Sequence, residues 1–346
     1  MTSEWLKRDG AVVENPGDEV AWHYGDPLRE QRRLAGEGAV VDRGDRRILT
    51  VTGAERLTWL HSLTTQHLTA LEAGRGTELL VLSPNGHVEH HANVFDDGET
   101  TWLDTEAADG DGLRGYLERM RFFTPVEIAD VTADWALVTY TGDDSLTEPD
   151  RLPVPEAKFA AGTLPPRPSV IYHGESTTSG GFRRRTDQLG IATVDMLVPR
   201  VESASVPERS GLPVSGRWAF DVLRIPAERP VVGVDTDHRT IPHEAAALLA
   251  CAVHLDKGCY RGQETVARVH HLGKPPRRLV SLHLDGSEEH PPAVGADVKA
   301  GPRTAGRVGT AGRHYEDGMV ALALLRRNVA DDPETVYDVE GSRARR

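Results

Sequence analysis

VVDRGDRRILTVTGAERLTWLHSLTTQHLTALEAGRGTELLVLSPNG, residues 40–86, holds the pattern on which the fold turns. RRILTVTG reads as a strand. In AERLTWLHSL, Leu57, Leu60 and Leu63 recur three apart, which opens an amphipathic helix. TELLVL is a second strand, and SPNG sets Pro, Asn and Gly in turn-favouring places. Further on, HVEHHANVF alternates as a strand, DDG turns, and TTWLDT pairs back. DGLRGYLERM puts Leu113, Tyr116, Leu117 and Met120 on one helical face, and TPVEIAD closes with a strand. The order β-α-β-β-β-α-β predicts a ferredoxin-like unit with one extra strand over residues 46–132.

Beyond that unit, WALVTYTG starts a second α+β lobe and IATVDMLVP reads as another of its strands. Residues 143–169 are rich in Pro, Asp and Ala with little periodicity, the texture of a loop-rich connection. PHEAAALLACAVHL is helical, with Pro242 suited to a helix start. After Lys274, Pro275 and Pro276 the chain changes to short strands with glycine-rich turns: RRLVSLHL, GADVKAGPRTAGRVGTAG and GMVALALLRR. That texture predicts a small β-barrel over residues 273–330. Residues 331–346 are polar and charged and read as a flexible tail. The fold class expected is α+β.

The chain has 346 residues, 40 basic and 53 acidic, for a net charge of −13. That balance opposes non-specific nucleic-acid binding, which needs a cationic surface to release counterions. No apolar run is long enough to span a bilayer, and MTSEWLKRDG carries no secretory h-region. Cys251 and Cys259 are the two cysteines, too few for a disulfide framework or a Cys-rich metal set. A cytoplasmic protein without nucleic-acid or membrane partners is the expectation.

The segment LDKGCYRGQETVARV, residues 255–269, crowds Lys257, Cys259, Tyr260, Arg261, Gln263 and Glu264 around Gly258 and Gly262. Two glycines allow positive φ or close backbone approach. On composition alone it is a helix C-terminus followed by a loop. Cys259 stands in a polar, glycine-bounded place between Lys257 and Arg261, the setting of a reactive thiol. Cys251, inside AAALLACAVHL, reads as buried packing. His87, Glu89 and His91 recur with period two, which on a regular strand puts two His and a carboxylate on one face, a rudimentary metal set.

K-G-C-Y-R-G-Q-E, from Lys257 to Glu264, resembles the signature of the YgfZ-type branch of the glycine-cleavage T-protein superfamily. The resemblance extends through residues 40–86, LRIPAERPVVGVDTDHRTIPHEA and AGRVGTAGRHYEDGMVALALLRR, covering about residues 40–327. It implies a three-lobe ring around a folate channel. A discontinuous central lobe, residues 1–45 and 133–272, would hold the ferredoxin-like lobe as an insertion, with the barrel completing the ring. It implies tetrahydrofolate or a derivative as cofactor, and iron–sulfur client or assembly proteins as partners. By the same resemblance Asp195, in GIATVDMLVP, would hold the pterin N–H groups, since one carboxylate can accept two parallel donors. Arg224, in DVLRIPAERP, would reach the anionic side of the folate. Asp235 and Asp237 would serve a turn and a helix cap. The aspartate pair of an aminomethyltransferase falls here on Glu89 and His90, so Glu89 stands in only in part and aminomethyl transfer is in doubt. Cys259 is then the candidate working group, with Lys257, Tyr260 and Gln263 beside the cofactor. Arg183, Arg184 and Arg185 read as a solvated basic loop that could attract a polyglutamyl tail.

Overall fold

The computed structural model describes residues 3–144, 146–151, 170–332 and 334–346. Most of the Pro-rich connection, residues 152–169, lies outside the described residues. Strands β1 (Val40–Arg43), β2 (Arg47–Thr52), β3 (Arg75–Leu82), β4 (Val88–Asp96), β5 (Thr100–Thr105), β6 (Glu127–Asp130) and β7 (Trp135–Tyr140) come first. β8 (Asp150–Arg151), β9 (Val170–Ser176), β10 (Phe182–Thr186), β11 (Thr193–Pro199) and β12 (Val214–Ser215) follow. They form one twelve-stranded sheet in the order β12-β1-β7-β11-β10-β9-β3-β4-β5-β2-β6, with β8 paired to β9 off that path.

The half β3-β4-β5-β2-β6 is the ferredoxin-like unit, antiparallel throughout. The added strand, β5, lies between β4 and β2, where a ferredoxin-like sheet would otherwise pair two parallel strands. Helices Arg56–Leu63 and Ala107–Arg121 cover one face of it. Leu60, Leu63, Leu113 and Leu117 pack there on Leu79, Val81, Ala92 and Val94. The apolar run in TELLVL is continuous because β3 serves two cores. Leu79 and Val81 face the helices, while Leu80 and Leu82 turn the other way, onto Leu248 and Leu249 of helix Ala246–Ala252. Glu78 shares the parity of Leu80, so its carboxylate points into the middle of the molecule.

β1 pairs with β7 and with β12, so chain before and after residues 46–132 meets in one sheet. Val41 buries against Phe220 and Leu223 of helix Arg217–Leu223, and Arg43 follows it by parity onto the same face.

β13 (Arg277–Leu284), β14 (Asp297–Ala300), β15 (Arg303–His314), β16 (Gly318–Arg326), β17 (Tyr337–Val339) and β18 (Ser342–Arg345) close a barrel in the order β13-β16-β15-β14-β17-β18. The segment expected as a flexible tail is therefore corrected: it supplies two of the barrel strands. Tyr337, Val339 and Ala344 are each 1% exposed in the barrel core. Their alternation with charged Asp338, Arg343 and Arg345 is a short half-buried strand pattern that overall polarity obscured. Among the described residues no helix is long and apolar enough to cross a membrane.

Candidate functional site

Between β3 and β4 on one side, β1 and helix Arg217–Leu223 on another, and the loop carrying Arg229 to Val232, lies a narrow cavity open to solvent at its mouth. Charged and polar residues line most of it, with Phe220, Val231, Val232 and Leu248 among the apolar ones. Glu78 is buried in the floor, where His91 Nε2 stands 2.9 Å from Oε2 and Tyr172 and Arg229 both donate to Oε1. Burial alone would raise this carboxyl, but Arg229 first, then His91 and Tyr172, hold it well below the ordinary range. Arg229 Nη1 also donates to Cys251 Sγ at 2.8 Å. Arg46 donates to Asp104 at 2.7 Å and to Glu106. Asp109 accepts from His90, from the His91 backbone N–H at 3.2 Å and from Thr105 at 3.3 Å.

Asp195 lies one layer behind this wall. It is fully buried on β11, its Oδ1 accepting from Thr139 at 2.7 Å and its Oδ2 from Arg184 at 2.9 Å and from Gln188 Nε2 at 3.0 Å. Gln188 itself lines the cavity. Arg184 is the middle of the supposed basic loop, which is corrected to strand β10. Its guanidinium is fully buried and bridges Asp104 to Asp195, while Arg183 and Arg185 alternate outward to Glu175 and Glu148. Arg224 lines the cavity, but its donors go to Asp221 at 3.3 Å, Asp235 at 2.7 Å, the Arg229 carbonyl at 2.9 Å and Thr310. It ties the central lobe to the barrel. Asp235 accepts from Arg224 and from the backbone N–H groups of Val231 and Thr310; Asp237 caps its turn and pairs with Arg277 of the barrel.

The motif from Lys257 to Glu264 does not line this cavity. Lys257 is 5% exposed, and its ammonium donates to the carbonyls of His61, Thr64 at 2.6 Å and Gln66 at 3.0 Å, closing the C-terminus of helix Arg56–Leu63. Tyr260 is buried in the core beside Val266. Gln263 donates to the carbonyls of Lys257 at 3.2 Å and Gly258 at 3.4 Å. Gly262 has φ +81°, and a Cβ there would stand 2.6 Å from the Ser83 carbonyl oxygen. The segment is thus a clamp between lobes, with the SPNG turn under it. Cys259 is exposed and Cys251 buried. Against the sequence expectation, Cys259 is on the outer surface, and neither flanking cation is free to attend it. Lys257 is committed to carbonyls and Arg261 to Glu89 at 3.0 Å.

Glu89 lies in an outer cleft with His87, His90 and Tyr116, separated from the cavity by Val232 and the His90–Asp109 pair. The expectation that His87, Glu89 and His91 share a face is corrected by a bulge. Val81 is opposite His90 and Leu82 opposite Val88, so Glu89 is the extra residue and parity inverts across it. His91 faces the cavity and Glu89 the cleft. Among the described residues no group of three His, Cys, Asp or Glu side chains is arranged to hold a metal ion. Sequence reasoning missed Arg43, Glu78, Gln188 and Arg229. Glu78 had a signal, a lone acid within an apolar strand; the others come from loops or strand ends whose direction only the fold sets.

A sheet continued across two lobes, a closed barrel and a polar cavity between them make up the fold seen in glycine-cleavage T-proteins. The solved structure of the glycine cleavage system aminomethyltransferase T from Bartonella henselae superposes with a TM-score of 0.79 at 18% identity, covering 99% of this chain and 94% of that one. No family model matches the chain. It is 28% identical to the tRNA-modifying protein YgfZ of Sodalis glossinidius over 85% of this chain and 86% of that protein. It is 25% identical to an iron–sulfur cluster assembly factor IBA57 homologue, mitochondrial, of Chaetomium globosum, over 85% of this chain and 72% of that one. An aminomethyltransferase of Rubrobacter xylanophilus is also 25% identical, over 85% and 79%. In sequence the chain is thus similar to YgfZ-type proteins, and in fold to the aminomethyltransferase T.

Proposed function

We propose that the chain binds tetrahydrofolate in the central cavity and supports assembly or repair of iron–sulfur clusters in client enzymes. The observation that carries the folate half is the chemistry of the wall. A reduced pterin presents an N–H and an amino group as donors and an exocyclic oxo group as acceptor. The cavity offers acceptors at Gln188 and Asp109, and a buried donor at Arg43 whose Nε and Nη1 have no partner among the described residues. The residues present therefore fit the ring. Gln188 gives its N–H to Asp195, which leaves its Oε1 for the ligand, so Asp195 acts as the residue that orients Gln188. Arg224 contributes a fixed positive charge rather than a free fork. When bound, tetrahydrofolate supplies one ring nitrogen and one bridging nitrogen able to carry a one-carbon unit.

The iron–sulfur half is supported by the likeness to the assembly factor of Chaetomium globosum and by the intact K-G-C-Y-R-G-Q-E segment with an exposed Cys259. The Sodalis relative is named for tRNA modification; a net charge of −13 favours protein clients over direct tRNA contact. Aminomethyl transfer is disfavoured because neither Glu89 nor His90 lines the cavity, and Glu89 is paired with Arg261. Calorimetry of the purified chain with tetrahydrofolate tests the first half. Complementation of a deletion strain, read as iron–sulfur enzyme activities, tests the second. Unaltered activities in that strain would remove the iron–sulfur reading. Ammonia release from aminomethylated carrier protein, lost in Asp109→Asn, would replace it with group transfer.

A further inference from the structure

Four arginines line the central cavity, and three of them are hydrogen-bonded within the chain. Arg43 differs. It is 2% exposed, and among the described residues its buried Nε and Nη1 have no hydrogen-bond partner. Its Nη2 stands 3.6 Å from Glu106, a carboxylate already bonded to Arg46 and Arg217. The guanidinium carbon lies 3.9 Å from the centroid of the Phe220 ring, which also forms the cavity wall. Burial, then Arg217 and Arg46, push Arg43 down to about 10, so it remains charged at neutral pH. A buried charge whose donors find no acceptor is unfavourable, and a site that keeps one has a use for it when the acceptor arrives.

We propose that Arg43 is the residue by which the cavity selects its ligand, donating to a neutral oxygen on the edge of a planar ring, the 4-oxo group of a pterin. The proposal rests on the folate reading above. Two features favour a neutral oxygen over a carboxylate of the folate tail. Glu106 already stands beside Arg43, and a second carboxylate would meet it across a water-poor wall. Phe220 covers the guanidinium, so the remaining donors work in the guanidinium plane, toward the edge of a flat ligand.

The test is a cycle between protein and ligand. Tetrahydrofolate and its 4-amino-4-deoxy counterpart, in which a donor replaces the oxygen, are titrated anaerobically into the full chain, Arg43→Met and Arg43→Lys. The unaltered protein is expected to prefer the 4-oxo ligand by about tenfold or more, as sites that hydrogen-bond a substrate group reject analogues lacking it. Arg43→Met should erase that preference, and Arg43→Lys should recover part of it. Without ligand, Arg43→Met should melt at or above the temperature of the unaltered protein, because an unpaired buried charge is gone; a structural arginine would move it the other way. Preference undiminished in Arg43→Met, or a lower melting point in both variants with binding unchanged, overturns the proposal while leaving folate binding intact. Failure of the unaltered chain to bind either ligand overturns the folate reading, and this inference with it.

Discussion

Cys251 and Cys259 are close in sequence and opposite in circumstance. Cys251 is fully buried at the end of helix Ala246–Ala252, and burial pushes its thiol up to about 12 despite Arg229 at 2.8 Å. Cys259 is exposed beside the lobe clamp. A maleimide near neutral pH is expected to label Cys259 alone in the native chain and both cysteines in denaturant, read by mass spectrometry. Native labelling of Cys251 at a similar rate would contradict the packing. Because the folded thiol of Cys251 titrates above its unfolded value, its contribution to stability is complete below about pH 9 and declines as the pH rises toward 12. Asp195 gives a second prediction at this scale. Its removal leaves Arg184 buried with Asp104 as its remaining carboxylate. Asp195→Ala should therefore cost about 3–5 kcal/mol in urea unfolding. Gln188→Leu should instead leave the midpoint nearly unchanged and weaken tetrahydrofolate about tenfold in calorimetry.

Two elements carry the joints of the molecule. The turn at Gly262 packs on the Ser83–Gly86 turn of the inserted lobe, where a Cβ would lie 2.9 Å from the Gly86 Cα. Gly262→Ala combines that clash with a positive φ and should lower stability by about 1–3 kcal/mol. The expected readout is a lower melting temperature, with tetrahydrofolate affinity retained at a temperature where the variant is folded. At the far end, β17 and β18 complete the barrel. Tyr337→Ala should cost about 3–5 kcal/mol by opening a cavity in its core. Deleting residues 337–346 should open the barrel between β13 and β14 and expose those edges to proteolysis. A deletion chain as protease-resistant as the full one would restore the reading of that segment as a tail.

Across the whole molecule, buried carboxylates carry the pH response. Burial raises Glu78 and Glu106, but Arg229 and Arg46 respectively lead the neighbours that hold both well below their ordinary values. Arg277 and the turn around Asp237 lower that acid too, across the joint between central lobe and barrel. Each folded value lies below the unfolded one. Their stabilisation is thus present above about pH 4.5 and lost as the pH falls through that point toward the folded values. On the account of these three acids thermal midpoints should drop steeply below about pH 4, with barrel and central lobe failing together. A midpoint unmoved between pH 6 and 3 would contradict these pairings.

The sequence by itself determined the α+β class, the extra-strand ferredoxin-like order and the presence of a terminal barrel. Those follow from local periodicity, such as Leu57, Leu60 and Leu63 on a helix, and periodicity is written into the chain. It also marked Cys251 as buried, from the apolar helix around it. What the tertiary structure decided was direction and company. A single bulge at Glu89 sent His91 and Glu89 to different chambers, and no residue type announces a bulge. Arg183, Arg184 and Arg185 look alike in sequence, yet strand alternation buries one and exposes two. Lys257 looked like chemistry and is a cap, because the carbonyls it serves come from residues far away in the chain. Nothing in the sequence set Arg43 apart, and its want of a partner among the described residues exists only where β1, Phe220 and Glu106 converge. Long-range pairing settles which polar groups are satisfied, and those left over define the site.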